Sequence, residues 1–249
     1  MKIENEECYV AFLDIQGFKT MVMEREPDFI LKVFKLIQNT EKSILCDKIF
    51  HEDHDGEVKY NALSSNLFYY IMSDSIVLAI KSSVEEGFYF LAKWCCEIQV
   101  RLFREYNILL RGGISKGCFY GEGHISFGKG MVNAYELENK GGAFQIFLDP
   151  SLYSLKDHNP KLPFLNVYWK KEEDRVYIDW LPSIINCDAS YNNIIKLSKK
   201  QIDEAQGISD EKNKSKVISK YEWLIKYATE QFEIVEARNE SDNMITNEE

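Results

Sequence analysis

Cys8-Tyr-Val-Ala-Phe-Leu-Asp14-Ile-Gln-Gly17-Phe18 is an apolar run that stops at an aspartate and turns at a glycine. Such a run reads as a strand delivering a carboxylate to the edge of a sheet. The device recurs downstream. Leu67-Phe-Tyr-Tyr70-Ile-Met-Ser73-Asp74 ends in an aspartate, and Ser75-Ile-Val-Leu-Ala-Ile80 follows at once as another apolar run. Two strands meeting at Asp74 predict a hairpin with the acid at its tip. Aspartates on neighbouring strand ends could converge on one point, and their hard oxygens suit magnesium or manganese, ions that in turn suit phosphate substrates. Taken singly, either aspartate is as well explained as a strand-end cap or a turn residue.

Working outward, Lys19 to Phe50 carries apolar residues at mostly three- and four-residue intervals broken near Pro27, which predicts a short helix followed by a longer one. The polar segment His51-Glu-Asp-His54-Asp-Gly56 fits no standard metal-ligand spacing and reads as a solvated loop. Val84 to Tyr106 places Phe88, Leu91, Ala92, Cys95, Ile98, Leu102 and Phe103 on one helical stripe. Ile108 to Gly117 reads as a strand entering a glycine-rich turn, where glycine permits close approach of a neighbouring strand or a ligand. Gly121 to Gly130 is too glycine-rich to predict regular structure; it precedes a helix near Met131, a weak phosphate-cradle signal. A strand at Phe144 to Leu148, a partly separate hairpin at Val167 to Trp180, and C-terminal helices including Val217 to Phe232 complete the pattern. The expected fold class is α+β, a ferredoxin-like sandwich with helices on one face of an antiparallel sheet, plus a C-terminal hairpin and helices.

At 249 residues and 45% hydrophobic content the chain can bury one large core, so residues 1–237 are expected to be a single domain. Its extension begins near residue 160, and residues 238–249 read as a frayed acidic tail. A formal charge of −10 argues against a broad nucleic-acid-binding face but leaves a small nucleotide pocket open. The acidic start resembles no signal peptide, and no apolar run approaches the roughly 18 residues of a membrane span. The expectation is a soluble cytoplasmic protein with no membrane partner. Cys8, Cys46, Cys95, Cys96, Cys118 and Cys187 show no paired spacing, so reduced and mostly buried thiols are expected, and packing explains Cys95-Cys96 better than a redox switch.

Several of these stretches, taken in order, resemble a family. Phe12-Leu-Asp14-Ile-Gln-Gly17-Phe18, Ser73-Asp74, Leu110-Arg111-Gly-Gly-Ile114-Ser-Lys-Gly117, Phe127-Gly128, Val132-Asn133-Ala134 and Leu137-Glu138 resemble the motif set of class III nucleotide cyclase domains over residues 8–150. Within that family the chain looks most similar to the compact pyrimidine cyclases of bacterial Pycsar antiphage defence. The resemblance implies a class III cyclase sandwich, a homodimer with sites at its interface, and a separate effector protein that responds to the cyclic nucleotide. It implies two divalent metals, Mn2+ or Mg2+, per site, held by Asp14, Asp74 and the Ile15 carbonyl. One would acidify the ribose 3′-hydroxyl and the other would hold the triphosphate.

The resemblance also assigns Asn133 to orienting the ribose, although an ordinary helix N-terminal residue is a competing explanation. Purine-specific relatives carry an arginine four residues later, where this chain has Leu137. Arg111, Lys116, Lys129 and Lys140 are the nearby substitutes for its charge, and Arg111 is expected to be catalytic alongside Asn133. Tyr70 replaces the Lys or Glu that reads a purine, and the second purine reader falls near Ile125 and Ser126. A tyrosine ring narrows the pocket and offers a hydroxyl, which favours a pyrimidine. The implied reaction converts UTP, or CTP, to the 3′,5′-cyclic monophosphate and pyrophosphate. The alternative is a catalytically silent cyclase-like module that binds a nucleotide or dimerises.

Overall fold

The computed structural model describes residues 2–49, 66–161, 163–185 and 188–246. The acidic segment His51 to Gly56 and Cys187 lie outside the described residues. The chain divides into two compact units, Met1–Gly141 with Gln145–Asp179, and Gly142–Phe144 with Trp180–Glu249.

The first unit is built on one eight-stranded sheet. Its strands are β1 (Lys2–Ile15), β2 (Leu67–Met72), β3 (Ser75–Lys81), β4 (Leu110–Glu122), β5 (Ile125–Phe127), β6 (Ile146–Leu148), β7 (Trp169–Glu172) and β8 (Arg175–Ile178). The order is β2-β3-β1-β4-β6-β8-β7, with β5 paired to β4. All pairings are antiparallel except β4 with β6. Its longer helices are α1 (Phe18–Glu24), α2 (Pro27–Ile49), α3 (Gly87–Tyr106) and α4 (Lys129–Lys140). The break at Pro27 falls where the pattern placed it, because proline starts a helix readily but cannot continue one.

Val10, Ala11 and Leu13 are fully buried and Phe12 nearly so. From Cys8 to Ile15 this central strand has no exposed residue, and such a stretch needs cover on both sides. Tyr9 faces α3, its ring 5.6 Å from Phe88, while Phe12 faces α4, its ring 5.2 Å from Tyr135. Helices therefore cover both faces, which corrects the expectation of a single helical layer. The continuous apolar run of β1 carries the physical reason.

Two further corrections concern glycine and the C-terminal hairpin. β4 runs straight through Gly112, Gly113 and Gly117 to a tight hairpin with β5, so residues 110–122 are strand rather than glycine-rich turn. The β7–β8 hairpin is not separate, because β8 pairs with β6 through Phe147↔Tyr177 and Leu148↔Val176 and so extends the main sheet. The first unit ends at Asp179.

The second unit is a helical pair, α5 (Asp188–Ala205) and α6 (Glu211–Thr246). Asp210 caps α6 by accepting from the backbone N–H groups of Lys212 and Asn213. The apolar face of α6 is covered within its own unit. Tyr191 of α5 stacks on Phe232 at 4.4 Å, and Phe144 and Trp180 pack on Tyr221 and Tyr227. α6 continues to Thr246, into the stretch whose composition reads as a frayed tail.

Candidate active site

Antiparallel pairing brings the first aspartate to its place. Asp14 lies opposite Ser75 of β3 and opposite Arg111 of β4. Asp74 occupies the two-residue turn between β2 and β3, where Ser73 adopts φ 57°. The Ile15 N–H donates to the Asp74 carbonyl at 2.8 Å, so the two aspartates share one end of the sheet. Asp14 is 18% exposed and Asp74 is half-buried.

Asp14 is held by its neighbours. Its Oδ2 accepts from Gln16 Nε2 and, at 3.1 Å, from Arg111 Nε. The same Nε stands 2.5 Å from Oε1 of Glu138, a carboxylate of α4 that is only 3% exposed. The Nε–H points at Asp14, so Glu138 meets the guanidinium through charge and proximity. Buried carboxylates are rare without a cationic partner, and Arg111 supplies one here.

The donor set fits a small hard cation. Asp14 and Asp74 carboxylates with the Ile15 carbonyl are all oxygen, and magnesium or manganese completes its shell with water and substrate phosphates rather than a full protein cage. Among the described residues no group of three or more His, Cys, Asp or Glu side chains forms such a cage.

Beside this sheet end lies a cavity of about 460 Å³. Its apolar wall includes Phe12, Val77, Phe127 and Tyr135, and its polar groups include Ser75, His124 and Ser126. Tyr70 lines it too, half-buried, its ring 5.7 Å from the imidazole of His124. A pocket of this size, mostly apolar with a few polar groups, is what small-molecule recognition requires. Ser75 follows Asp74 in sequence, and Phe12 precedes Asp14 by two positions on the same face of β1, so cavity and carboxylates are neighbours.

The basic candidates separate by face. Lys116 lies over the ring of Tyr9 on the α3 side and pairs with Glu7 at 2.9 Å. Lys140 is exposed and pairs with Glu136, and Lys129 is exposed at the start of α4. Arg111 is the one of the four that pairs with Asp14. Asn133 is exposed on α4, next to Val132, which lines the cavity. Leu137 packs where α4 meets β4: a Cβ added to Gly113 would fall 2.5 Å from the Leu137 Cβ.

That close approach explains the glycines. A Cβ on Gly113 would meet the Ala134 carbonyl at 2.4 Å, and one on Gly117 would meet the Gly130 N at 2.8 Å. These glycines let α4 seat against β4, which is a packing use. Sequence reasoning missed Glu138, Gln16 and His124 as members of the site. Glu138 had a readable signal, since it lies four residues after Ala134 and so shares the buried stripe of α4.

No protein-family model matches the chain, and no curated protein matches it. Among solved structures it is similar to the adenylyl cyclase CyaB from P. aeruginosa, with TM-score 0.45 and 15% identity over 70% of this chain and 92% of that one. It is similar also to the guanylate cyclase domain of RhGC from Catenaria anguillulae in complex with GTP, with TM-score 0.45 and 12% identity over 70% and 96%. A third is an adenylate/guanylate cyclase/hydrolase from Silicibacter pomeroyi, with TM-score 0.42 and 18% identity over 70% and 96%.

Proposed function

We propose that this chain is a metal-dependent nucleotide cyclase of the class III kind, acting on a pyrimidine nucleoside triphosphate. UTP is preferred over CTP as substrate in this reading, and the products are the 3′,5′-cyclic monophosphate and pyrophosphate. The observation that carries it is the convergence of Asp14 and Asp74 on one sheet end beside a nucleotide-sized cavity. In the reaction the ribose 3′-oxygen attacks the α-phosphorus, the bond to the β-phosphate bridging oxygen breaks, and the 3′ proton is lost to solvent.

Asp14, Asp74 and the Ile15 carbonyl would hold Mg2+ or Mn2+, two per site, which supplies acidification of the hydroxyl and neutralisation of the triphosphate. Tyr70 limits the depth available to the base, and its hydroxyl is a donor or acceptor at the pyrimidine edge. Asn133 orients the ribose from the opposite subunit of a homodimer. Met72, Phe127, Val132 and Tyr135 are exposed apolar residues lining this cavity, and an apolar patch that a second copy would cover supports that assembly. Arg111 acts at the site through Asp14. The product serves as a second messenger in antiphage defence, read by a separate effector. Cytoplasmic placement accords with the described residues, which include no helix long and apolar enough to cross a membrane. The charge of −10 supports the absence of a nucleic-acid partner.

One observation favours a second reading, a silent nucleotide-binding or dimerisation module: Leu137 occupies the position of the transition-state arginine and is used in packing. Release of pyrophosphate from a nucleoside triphosphate in Mn2+, lost in Asp74→Ala, supports the cyclase. A folded wild-type protein that releases none supports the module.

A further inference from the structure

Arg111 and Glu138 carry an inference that rests on the metal-dependent reading and deepens it. We propose that they form a built-in counter-charge for Asp14, so that the arginine holds this carboxylate in the metal-free protein and yields it to the incoming cation. Glu138 keeps the arginine satisfied after it has let go. Both are positioning residues, and together they set the affinity of the site for metal.

The geometry supports each step. The hydrogen bond from Arg111 Nε goes to Oδ2 of Asp14 at 3.1 Å, so a cation approaching that oxygen competes with it directly. Arg111 is only 20% exposed, and leaving a guanidinium at such a site without any acid would be strongly unfavourable. Glu138 removes that obstacle, because its Oε1 already stands 2.5 Å from the same nitrogen and its 3% exposure leaves it little solvent to turn to. A guanidinium carries five N–H donors, enough to serve both acids at once or one alone. The charges also close. Asp14, Asp74 and Glu138 with Arg111 sum to two negative charges, the complement of one divalent cation. Without Glu138 the sum is one, and the arginine has Asp14 as its remaining acid among these groups.

The experiment is Mn2+ titration of the purified full chain without nucleotide, followed by the electron paramagnetic resonance signal of free Mn2+. Thermal melts establish that each variant is folded. Glu138→Gln preserves volume and removes charge; its Mn2+ dissociation constant is expected to rise roughly tenfold, the effect of one neighbouring charge on a carboxylate site. Adding Arg111→Leu to that variant removes the competitor, and binding is expected to return to wild-type strength or tighter. A structural defect would weaken both variants, so the reversal separates the roles. Binding in Glu138→Gln within twofold of wild type, or a double variant no tighter than Glu138→Gln, overturns the proposal. Should Glu138→Gln fail to fold, the double variant decides alone: binding weaker than wild type overturns the proposal, and equal or tighter binding supports it. A wild-type chain that takes up no Mn2+ overturns both this proposal and the metal-dependent reading, whereas failure in the variants overturns this proposal only.

Discussion

The backbone N–H of Ile15 donates to the carbonyl of Asp74 at 2.8 Å, tying the end of β1 to the turn of the β2–β3 hairpin. This bond makes two carboxylates, 60 positions apart in sequence, neighbours at one end of a sheet. Removing either carboxylate leaves the backbone bond intact, so chemistry and folding are separable. Asp14→Asn and Asp74→Asn are each expected to lower cyclic product formation by about 10³ or more while the melting temperature moves little. Chromatography of product alongside thermal melts checks this, and a variant retaining a tenth of wild-type activity would remove that aspartate from the site.

Tyr70 forms part of the cavity wall with His124. Replacement by alanine deepens the cavity and removes a hydroxyl. The expected result is about tenfold loss of kcat/KM for the pyrimidine substrate, with a gain for ATP or GTP relative to it. Competition between UTP and ATP in one reaction reads the ratio directly. An unchanged ratio assigns Tyr70 to packing.

The seat of α4 on β4 tolerates no side chain at Gly113. A Cβ there would lie 2.4 Å from a backbone carbonyl, so Gly113→Val forces helix and strand apart and is expected to cost about 3 kcal/mol. Gly17 makes a useful contrast. Its φ is 75° with nothing within 4 Å of a Cβ, so Gly17→Ala meets only backbone strain and is expected to cost about 1 kcal/mol. Urea unfolding of the two variants tests the order.

How much of this was legible beforehand follows from what each residue reports. The apolar runs ending at Asp14 and Asp74 disclose strands, and alternation alone does not disclose their neighbours. The same run in β1 also signals that both faces need cover, which a one-layer sandwich does not supply. Glycine spacing in 112–130 is ambiguous because a glycine needed for helix–strand contact and one needed for a phosphate look identical in sequence. Only the Cβ positions, filled by Ala134 and Gly130 backbone, distinguish them. The partnership of Arg111 with Glu138 spans a helix and a strand, and such register is fixed by packing that no local pattern encodes.

Burial pushes the thiols of Cys8 and Cys96 and the phenol of Tyr221 up to about 12, from ordinary values of 9.0 for the thiols and 10.0 for the phenol. Between those values and about 12 the unfolded chain has shed protons that the folded chain keeps. Their contribution is therefore full below about pH 9 and is lost as pH rises toward 12. Thermal melts between pH 7.5 and about 10.5 are expected to fall at the alkaline end. At pH 8, iodoacetamide is expected to modify the exposed Cys118 while Cys8, Cys95 and Cys96 resist until the chain is unfolded. Mass mapping of the labelled peptides checks this, and rapid native labelling of Cys8 would contradict its burial.

The most direct test of the cyclase reading is incubation of the purified protein with ATP, GTP, CTP and UTP separately in Mn2+, with mass identification of the products. The account expects one cyclic pyrimidine monophosphate, from UTP, together with pyrophosphate. A cyclic purine would contradict the reading of Tyr70 while leaving the chemistry of Asp14 and Asp74 in place. No product from any of the four, from a protein shown to be folded and dimeric, would contradict the central claim and leave the silent module as the function of this fold.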